Sequence, residues 1–374
     1  MKKFIVKTFL IFLPFLAAIG IELFVLPIDF FTFRVWESLR VEKFLKGKFY
    51  PNKEITRIEE GDLAPHTRFA YKRKVTWITD RYGYRKQNTN LVRQEIVIIG
   101  DSHTVGSGLT QEDILSEVLE KKLRVGVYPY APASLKTFLK DRRFRLNLPD
   151  VIIIARIEIS ICDDLPPVKV STDKASTQLE KQLFEIEDRF ENLIFDNRFA
   201  QFFGECLDRI YKENMLYSLR ARLRRIGSSY SRAMYPPNSI ATKDGIVLFA
   251  EGARANREVS KGHLDRAISI IKSYNELLKT KGIRFIFLPI PNKENIYYKY
   301  LQTEKPIFLE QLIPTLRKLG IETIDTQKAF DEAFERGVSL YQRDDSHWSA
   351  QGVKLTADLI EQTLKKDGWE AHRK

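Results

Sequence analysis

Short apolar runs alternate with amphipathic stretches along the chain after residue 90. The short runs are continuous and β-branched, and the stretches between them place apolar residues at helical spacing. Continuous runs of this kind are typical of strands covered on both faces, as in a parallel sheet. The pattern predicts an α/β fold with three layers and a central parallel sheet. The predicted strands are 96–99, 125–128, 151–155, 284–288 and 321–324, and the predicted helices are 111–122, 263–280, about 306–319 and 351–366.

Residues 170–260 interrupt this alternation and predict a helical insertion within an α/β domain of residues 91–374. Over 175–230 the sequence is charged and its apolar residues recur at helical spacing. Three interpretations stay open for these helices: a lid, an element on a membrane surface, or a plain solvated layer. Residues 227–260 are rich in turn-forming residues, so we expect loops there.

The amino-terminal end carries a nearly continuous apolar run from Thr8 to Leu26, which only Glu22 interrupts. A helix of about 20 apolar residues is long enough to cross a bilayer. Apolar residues continue past the small residues near position 18, so we expect an uncleaved signal anchor over residues 1–27 rather than a cleaved signal peptide. A buried core helix is the alternative.

The lysines at the start of the chain, Lys2, Lys3 and Lys7, favour a cytoplasmic amino terminus. Basic residues between positions 34 and 48 oppose that orientation. The prediction is a single-pass protein of the inner membrane whose main domain lies on the periplasmic or extracytoplasmic side. Residues 28–90 would form a juxtamembrane connector with short extended pieces.

The net charge and the two cysteines of the chain limit its partners and its metal chemistry. The chain has 374 residues and a formal net charge of +12, spread along its length. This balance favours an anionic polysaccharide, a phospholipid surface or nucleic acid as partner, and nucleic acid is not expected because no binding module for it is recognisable. Cys162 and Cys206 form no CxxC motif, which argues against a zinc site and leaves open a disulfide or two buried free thiols.

Ser102 is the first candidate for chemistry. It ends the segment Gly100-Asp101-Ser102, which follows the predicted strand 96–99. The serine would therefore lie at the carboxyl end of a strand, the edge at which open α/β sheets bind ligands. The pattern predicts a nucleophile, and an ordinary serine in a strand-to-helix turn is the alternative.

His347 is the candidate base, because serine becomes nucleophilic only when a base takes its proton and a carboxylate orients that base. Asp345 is the nearer carboxylate in sequence and Asp344 is the fallback. The alternative is a loop histidine paired with a surface aspartate. A metal site of Asp101, His103, Asp345 and His347 fits no metal motif, so neither a metal nor a cofactor is expected.

Together these segments resemble the SGNH (GDSL-type) hydrolase superfamily. Its first block reads Gly-Asp-Ser after a strand, as at Ser102, and its last block places Asp and His before the final helix, as at Asp345 and His347. The four residues from Asp345 also fit the Asp-x-His-Trp motif of the SGNH-like domain of alginate O-acetyltransferase proteins. Residues 289–297 resemble the Pro-x-Lys segment and following tyrosine of that branch. The resemblance covers about residues 91–360.

The resemblance implies a serine, histidine and aspartate site that works through an acyl-serine intermediate. The oxyanion blocks depart from the superfamily pattern: Ala131 would lend a backbone N–H where Asn-x-Gly is usual, and Arg156 would substitute for a missing asparagine. His103 would either line the acyl or acceptor site or cover the turn. Lys293 would contact a substrate carboxylate or phosphate, or else be an exposed structural lysine.

These expectations combine into one principal hypothesis, a membrane-anchored acyl-transfer enzyme of the cell envelope. It would be an O-acetyltransferase or acetylesterase that acts on a polysaccharide or other envelope glycan, with an acetyl donor that the resemblance suggests is delivered by a membrane acyltransferase. The main alternative is a non-catalytic glycan-binding or assembly protein with a degenerate SGNH site. A lipid esterase at the membrane surface is a third hypothesis.

Overall fold

The computed structural model describes residues 1–26, 34–45, 47–65, 67–87, 94–144, 147–163, 165–168, 182, 186, 197–211, 239–249, 261–301, 304–366 and 368. Most of the predicted insertion at 170–260 therefore lies outside the described residues. The side chain of Cys162 also lies outside them, whereas Cys206 is a buried free thiol.

The strands form one parallel sheet and two antiparallel pairs within the described residues. Their bounds are β1 (Glu54–Glu59), β2 (Arg73–Ile78), β3 (Ile96–Ile99), β4 (Val127–Tyr130), β5 (Val151–Ile157), β6 (Ser239–Ala241), β7 (Val247–Phe249) and β8 (Arg284–Ile290). The parallel sheet has the order β4-β3-β5-β8, while β1 pairs with β2 and β6 with β7. Since β3 and β5 lie at the centre of the sheet, the turns at their carboxyl ends lie at the middle of its carboxyl edge.

Helices flank this sheet and also precede it. Their bounds are α1 (Lys2–Phe24), α2 (Val35–Leu39), α3 (Ser102–Val105), α4 (Leu115–Leu123), α5 (Leu135–Phe138), α6 (Glu158–Asp163), α7 (Arg198–Tyr211), α8 (Lys261–Thr280), α9 (Lys293–Ile296), α10 (Phe308–Lys318), α11 (Thr326–Glu335) and α12 (Ala350–Lys366). Short 3-10 turns lie at Gln111–Asp113, Arg142–Phe144 and Tyr298–Leu301.

Alternate residues of the central strands enter two separate cores. In β3, Val97 and Ile99 pack on one side with α8 and α10, whereas Ile96 and Ile98 pack on the other with α4, α11 and α12. Both faces of the sheet are therefore covered, which explains why its strands are apolar at every position. The predicted three-layer α/β fold with a central parallel sheet is confirmed.

Three predicted elements differ from the structure. The predicted helix 111–122 starts as a 3-10 turn at Gln111–Asp113, and α4 covers only Leu115–Leu123. The second strand lies at Val127–Tyr130, two residues later than the predicted 125–128. The predicted strand 321–324 is wrong, because this stretch makes only an isolated bridge between Phe287 and Thr323. Asp325 caps α11 immediately afterwards by accepting the Lys328 N–H, so the extended run ends before it can become a strand.

Helix α1 is the candidate membrane span. Its residues Lys2–Ile21 have a mean hydropathy of 2.3, and none of the apolar window is buried. By length and composition the helix can cross a membrane, as predicted.

Residues 34–87, which we call the N-terminal segment, pack against the α/β domain. Arg85 is buried and donates to the carbonyls of Val105, Gly106 and Leu109, on the turn that follows Ser102. A small core joins the two parts: it consists of Val35, Leu39, Phe49, Tyr50, Val75 and Trp77 from the segment with Val105 and Ala131 from the domain. The sequence predicted only a connector in this part of the chain, and the packing is a finding of the structure.

Candidate active site

Ser102 lies at the turn between β3 and α3. The turn requires glycine at position 100, because a Cβ atom there would collide with the side chain of Thr104. Asp101 caps α3, since its Oδ1 accepts the backbone N–H of His103 at 2.9 Å. Ser102 is the first residue of α3, so its hydroxyl is presented at the carboxyl edge of the sheet.

Asp101 also ties the ends of two strands together. Its Oδ2 accepts the backbone N–H of Ile157, at the end of β5, at 3.0 Å. Burial raises the pKa of this carboxyl, but its interactions with His103 and the Ile157 N–H hold that pKa well below its usual range. The carboxylate is therefore a fixed anchor for the turn that carries the serine.

The structure brings Ser102, His347 and Asp345 together, and we call these three residues the relay. His347 Nε2 lies 2.7 Å from Ser102 Oγ, and His347 Nδ1 lies 2.6 Å from Asp345 Oδ1. The same Asp345 oxygen accepts the backbone N–H of His347 at 3.0 Å. With Nδ1 protonated and donating to the carboxylate, Nε2 carries a lone pair that faces the serine hydroxyl. The distances suit proton transfer, while the catalytic role of the three residues stays a prediction.

The fallback acid, Asp344, is held by other partners. Its Oδ1 accepts from Arg73 Nη1 at 2.7 Å, and its Oδ2 accepts the backbone N–H groups of Gly61 and Tyr71 at 2.8 and 2.7 Å. All of these partners belong to the N-terminal segment. Asp344 therefore anchors that segment, and the geometry favours Asp345 as the acid that orients His347.

Two arginines of the N-terminal segment hold the second oxygen of Asp345. Arg34 Nη2 lies 3.0 Å and Arg73 Nη2 lies 3.1 Å from Asp345 Oδ2. Arg34 Nη2 also donates to Ser107 Oγ at 2.8 Å. Arg34 therefore links the carboxylate of the relay to the turn that follows the serine.

These charges set the protonation of the relay. Burial raises the pKa of Asp345, but the charges of Arg34 and His347 outweigh burial and hold that pKa well below its usual range. Burial lowers the pKa of His347, yet the charge and hydrogen bond of Asp345 outweigh burial and raise that pKa above its usual value. The carboxylate thus stays ionised, and the imidazole takes up a proton more readily than a free histidine does.

Gly61 lets the N-terminal segment approach the loop that carries the two aspartates. A Cβ atom at this position would overlap the carbonyl oxygen of Asp344. The next residue, Asp62, donates its backbone N–H to Asp345 Oδ2 at 3.3 Å and accepts the Ser346 N–H at 2.8 Å. The sequence alone does not reveal this contact, because 283 positions separate Gly61 from Asp344 and no local spacing connects them.

A cleft of about 360 Å³ opens at the relay. The α/β domain contributes Ser102, Ser107 and His347 to its lining. The N-terminal segment contributes the remaining lining residues, Arg34, Trp36, Glu37, Glu60, Gly61, Asp62 and Pro65. The reacting groups and the walls around them therefore come from different parts of the chain.

His103 packs against His347 and does not line the cleft. It is 1 % exposed, and the centroids of the two imidazole rings lie 4.7 Å apart. Neither ring nitrogen of His103 has a hydrogen-bond partner among the described residues. Burial lowers the pKa of His103, while Asp101, whose Oδ1 lies 3.6 Å from His103 Nδ1, acts in the opposite direction.

The two substitutes expected for the oxyanion donors are not placed for that role. The Ala131 N–H donates to the carbonyl of Pro129 at 3.0 Å, and Arg156 Nη2 donates to the carbonyl of Ala133 at 2.6 Å. Neither Ala131 nor Arg156 lines the cleft. The Ser102 N–H, by contrast, has no hydrogen-bond acceptor in the part of the chain that the structure describes.

Lys293 is buried and binds backbone carbonyls of the loop that carries Asp345. It was expected either to contact a substrate or to be an exposed structural lysine, and neither expectation agrees with this position. The side chain is 1 % exposed, so it is neither a substrate contact nor an exposed lysine. Its Nζ donates to the carbonyls of Val247 and Gln342 at 2.7 and 2.6 Å, and to those of Arg343 and Asp345 at 3.0 Å each. Burial lowers the pKa of Lys293 to about 8. The hydrogen bonds of the ammonium group hold the loop that carries Asp345 against β7.

Two residues of the relay form a group of potential metal ligands with Asp62. One ligand atom each from Asp62, Asp345 and His347 lies within 4.8 Å of the others. Arg34 and Arg73 already place two positive charges on Asp345. A divalent cation would be repelled by those charges, so the group is better suited to ion pairing than to metal binding.

In this chain the Gly-Asp-Ser turn and the Asp-x-His loop meet at the carboxyl edge of the parallel sheet, and this arrangement resembles that of SGNH hydrolases. Residues 240–374 match the family model described as SGNH hydrolase-like domain, acetyltransferase AlgX. The matched residues cover the carboxyl-terminal part of the α/β domain and contain the Asp-x-His-Trp motif, but they do not include Ser102.

The matches to individual proteins are distant. The chain is 22% identical over 104 residues to "Probable alginate O-acetylase AlgJ" of Pseudomonas putida, an alignment that covers 26% of this chain and 27% of that relative. The alignment thus spans about a quarter of the curated relative's length.

Two solved structures are also similar. A G-D-S-L family protein from Desulfitobacterium hafniense is 13% identical, with 72% of this chain and 98% of that chain covered and a TM-score of 0.35. A GDSL-like lipase from Bacteroides thetaiotaomicron is 12% identical, with 73% and 88% covered and a TM-score of 0.30.

The resemblance to the SGNH superfamily, and within it to alginate O-acetyltransferase proteins, is confirmed.

Proposed function

We propose that this chain is a membrane-anchored serine O-acyltransferase of the cell envelope, which moves acetyl groups onto a polysaccharide through an acyl-serine at Ser102. One observation carries the proposal: His347 lies 2.7 Å from the serine hydroxyl through one ring nitrogen and 2.6 Å from Asp345 through the other. A serine in an ordinary turn has no need of a buried imidazole that a clamped carboxylate orients.

The acylation step uses that geometry directly. Ser102 Oγ attacks the carbonyl carbon of an acetyl ester while its proton passes to His347 Nε2. The tetrahedral intermediate then expels the alcohol of the donor, and His347 Nε2 returns the proton to the departing oxygen. The acetyl group is left on Ser102 and His347 is neutral again. Asp345 stays ionised throughout and stabilises the imidazolium that forms in each half-step.

The oxyanion of the intermediate needs hydrogen-bond donors in the cleft. The unpartnered N–H of Ser102 is the first. Ser107 is the best candidate for the second, because its hydroxyl lines the cleft and accepts a hydrogen bond from Arg34. Since Ser107 Oγ accepts from the arginine, its own proton is available to donate towards a bound carbonyl. This pair takes over the role that the sequence analysis gave to Ala131 and Arg156.

The second half-step transfers the acetyl group. His347 Nε2 takes a proton from an acceptor hydroxyl, which attacks the acyl-serine, and the released Ser102 oxygen recovers that proton. A polysaccharide suits the cleft because Glu37, Glu60 and Asp62 can accept hydrogen bonds from sugar hydroxyls and Trp36 offers an aromatic face. Water in place of the sugar hydroxyl would make the enzyme an acetylesterase.

The membrane location rests on α1 and the distant AlgJ match. We propose that α1 stays in the mature protein as a single-pass anchor in the inner membrane, with the α/β domain on the periplasmic side. A membrane acyltransferase would then supply the acetyl donor. Intact-mass measurement of protein extracted from membranes tests the anchor: the mass should include residues 1–27, and a mass that lacks them would mean a cleaved signal peptide.

The proposed chemistry is tested with p-nitrophenyl acetate as donor and alginate oligomers as acceptor. We expect the wild-type protein to release nitrophenol and acetylate the oligomer, and Ser102→Ala to lose at least about a thousandfold in turnover. Ser346→Ala is the matched control, because Ser346 Oγ lies 3.4 Å from the other ring nitrogen of His347 and has no role in the proposed steps. A Ser102→Ala protein that keeps wild-type turnover would refute the proposal.

The same experiment addresses the alternative of a glycan-binding protein with a degenerate site. That alternative expects oligomer binding without turnover in both the wild type and Ser102→Ala. The intact relay favours the enzyme, and turnover by the wild-type protein decides between the two.

A further inference from the structure

Helix α7 is inverted relative to an ordinary surface helix. Its buried side chains are mostly polar, namely Gln201, Glu205 and Asp208, with Cys206. Its exposed side chains are mostly aromatic or aliphatic: Phe199, Phe202, Phe203, Ile210 and Tyr211. A surface helix in water normally turns its apolar face to the protein, so something other than water is expected to cover this one.

The polar face of α7 is firmly bound to the N-terminal segment. Asp208 Oδ1 accepts the backbone N–H groups of Lys43 and Phe44 at 2.7 and 3.2 Å, and its Oδ2 accepts the hydroxyl of Tyr50 at 3.0 Å. Glu205 pairs with Lys53 at 2.8 Å. These contacts fix the rotation of the helix about its axis, so the outward direction of the aromatic residues is specified by the fold.

The apolar face of α7 has basic and aromatic neighbours. Phe199 is 76 % exposed and Phe203 is 57 % exposed. Tyr211 stacks edge-on with the exposed ring of Phe44, at 5.8 Å between centroids, and Lys43 Nζ lies 4.9 Å from the Tyr211 ring. Aromatic side chains beside exposed lysine and arginine are typical of helices that lie in the headgroup region of a bilayer.

Helix α7 also contacts the carboxyl end of the candidate membrane span. The rings of Phe24 and Phe202 lie 6.1 Å apart, and Arg209 Nη1 donates to the carbonyl of Leu23 at 3.2 Å. Leu23 and Phe24 closely follow the apolar stretch Lys2–Ile21. The exposed face of α7 therefore begins at the level where α1 would leave the hydrocarbon core.

We propose that the exposed apolar face of α7, together with Phe44, lies on the phospholipid surface beside the outer end of α1. The inference rests on the membrane anchoring that forms part of the proposed function. Among the three interpretations of the insertion, it selects the membrane-surface element for the part that the structure describes. The occupant is phospholipid, because α7 contacts the carboxyl end of the candidate membrane span α1 through Phe202 and Arg209.

The docking has a consequence for the cleft. Arg34 lines the cleft and Phe44 lies at the proposed lipid-facing surface, and the ten residue steps from one to the other span at most about 35 Å. Ser102, which would receive the acetyl group from a membrane-delivered donor, would thus lie close to the bilayer. Within the N-terminal segment, Arg34 contacts the relay and Phe44 would contact the membrane.

The test uses the full chain in phosphatidylglycerol-containing vesicles, with the photo-crosslinking residue p-benzoylphenylalanine at position 203. Leu319 is the matched control site, because it is 48 % exposed and lies at the end of α10 on the α/β domain. We expect at least about tenfold more phospholipid adduct at position 203 than at position 319 after irradiation, by mass spectrometry. Turnover of p-nitrophenyl acetate by both labelled proteins shows that they are folded.

The outcomes separate this inference from the proposed function. Vesicle flotation of the protein with equal lipid adduct at both positions would overturn the inference and leave the anchor intact. A crosslinked dimer at position 203 would assign the face to a second copy of the chain and also overturn it. Protein that does not float with vesicles would refute the anchor and the inference together, while turnover of the ester remains a separate readout of the chemistry.

Discussion

The α/β domain and the N-terminal segment meet at the cleft and contribute to it in different ways. The domain supplies every group of the proposed reaction, from two short motifs 245 positions apart. The segment supplies no reacting group, yet it supplies Arg34 and Arg73 to the carboxylate of the relay and most of the cleft lining. The reacting groups of this site therefore come from short local motifs, whereas the residues that position them and set their charge come from a distant part of the chain.

The largest effect should come from substituting the two adjacent aspartates, Asp344 and Asp345, one at a time. Asp345→Asn removes the acceptor that fixes the tautomer of His347, and we expect turnover to fall about 10⁴-fold. Asp344→Asn leaves His347 oriented but weakens the contact with the segment, so we expect a loss of about 1–3 kcal/mol in unfolding free energy and turnover within about tenfold of wild type. Steady-state kinetics and denaturant unfolding measure both variants. Equal losses of turnover would contradict the division of labour between the two acids.

Next in size is the close approach at Gly61. A Cβ atom there would overlap the Asp344 carbonyl, so Gly61→Ala must push the segment away from the loop. We expect it to destabilise the protein by about 3 kcal/mol and to reduce turnover as well. Gly320→Ala is the control: Gly320 has φ +73° but open space around it, so the variant should cost only about 1 kcal/mol and leave turnover unchanged. Equal thermal stability of the two variants would show that the approach at Gly61 is unimportant.

A smaller effect is expected from the charges that the segment places beside His347. Turnover needs the neutral imidazole, and the pKa of His347 is raised above its usual value, so kcat/KM should rise with pH through a midpoint above that of an ordinary histidine. The charge of Arg34 lowers this pKa and that of Asp62 raises it. Arg34→Gln should therefore shift the midpoint to higher pH, and Asp62→Asn should shift it to lower pH.

Arg34→Gln should also reduce turnover about 10- to 100-fold, because the Asp345 carboxylate and Ser107 lose a shared donor. Arg34→Lys should restore the midpoint more fully than turnover, since lysine keeps the charge but lacks the planar fork. If both Arg34→Gln and Asp62→Asn move the midpoint in the same direction, the electrostatic account of the segment is wrong.

The smallest effect is expected at Arg156. Its guanidinium donates to the Ala133 carbonyl and does not line the cleft. Arg156→Gln should leave turnover within about fivefold of wild type, whereas Ser107→Ala should reduce it by about a hundredfold if the Ser107 hydroxyl helps to hold the oxyanion. The reverse ranking, measured with p-nitrophenyl acetate, would return the oxyanion role to Arg156.

The parts of the fold that could be predicted are those with a local physical signature. Strands 96–99 and 151–155 are apolar at every position because both faces of the sheet are covered, and that burial is visible in the sequence. Ser102 and His347 were identifiable because each sits in a motif whose neighbours are fixed by the same chemistry. The parallel order of the strands made it expected that groups at their carboxyl ends would meet.

The parts that could not be predicted depend on contacts between distant segments. Four backbone carbonyls, one from β7 and three from the loop that carries Asp345, converge on the buried Lys293, and the sequence around it does not reveal that convergence. Ala131 fills the position of a family donor, but its N–H is used within its own turn. Arg34 and Arg73 resemble any basic residues of a connector until the fold places them on a buried carboxylate.

The proposed acyl-serine at Ser102 is tested most directly by mass spectrometry of the acid-quenched reaction with p-nitrophenyl acetate. We expect one acetyl group on the peptide that contains residue 102, formed in wild type and in Ser346→Ala and lost when alginate oligomers are added before the quench. An acetyl group on another residue, or acetylated oligomer produced at wild-type rate by Ser102→Ala, would contradict the proposal.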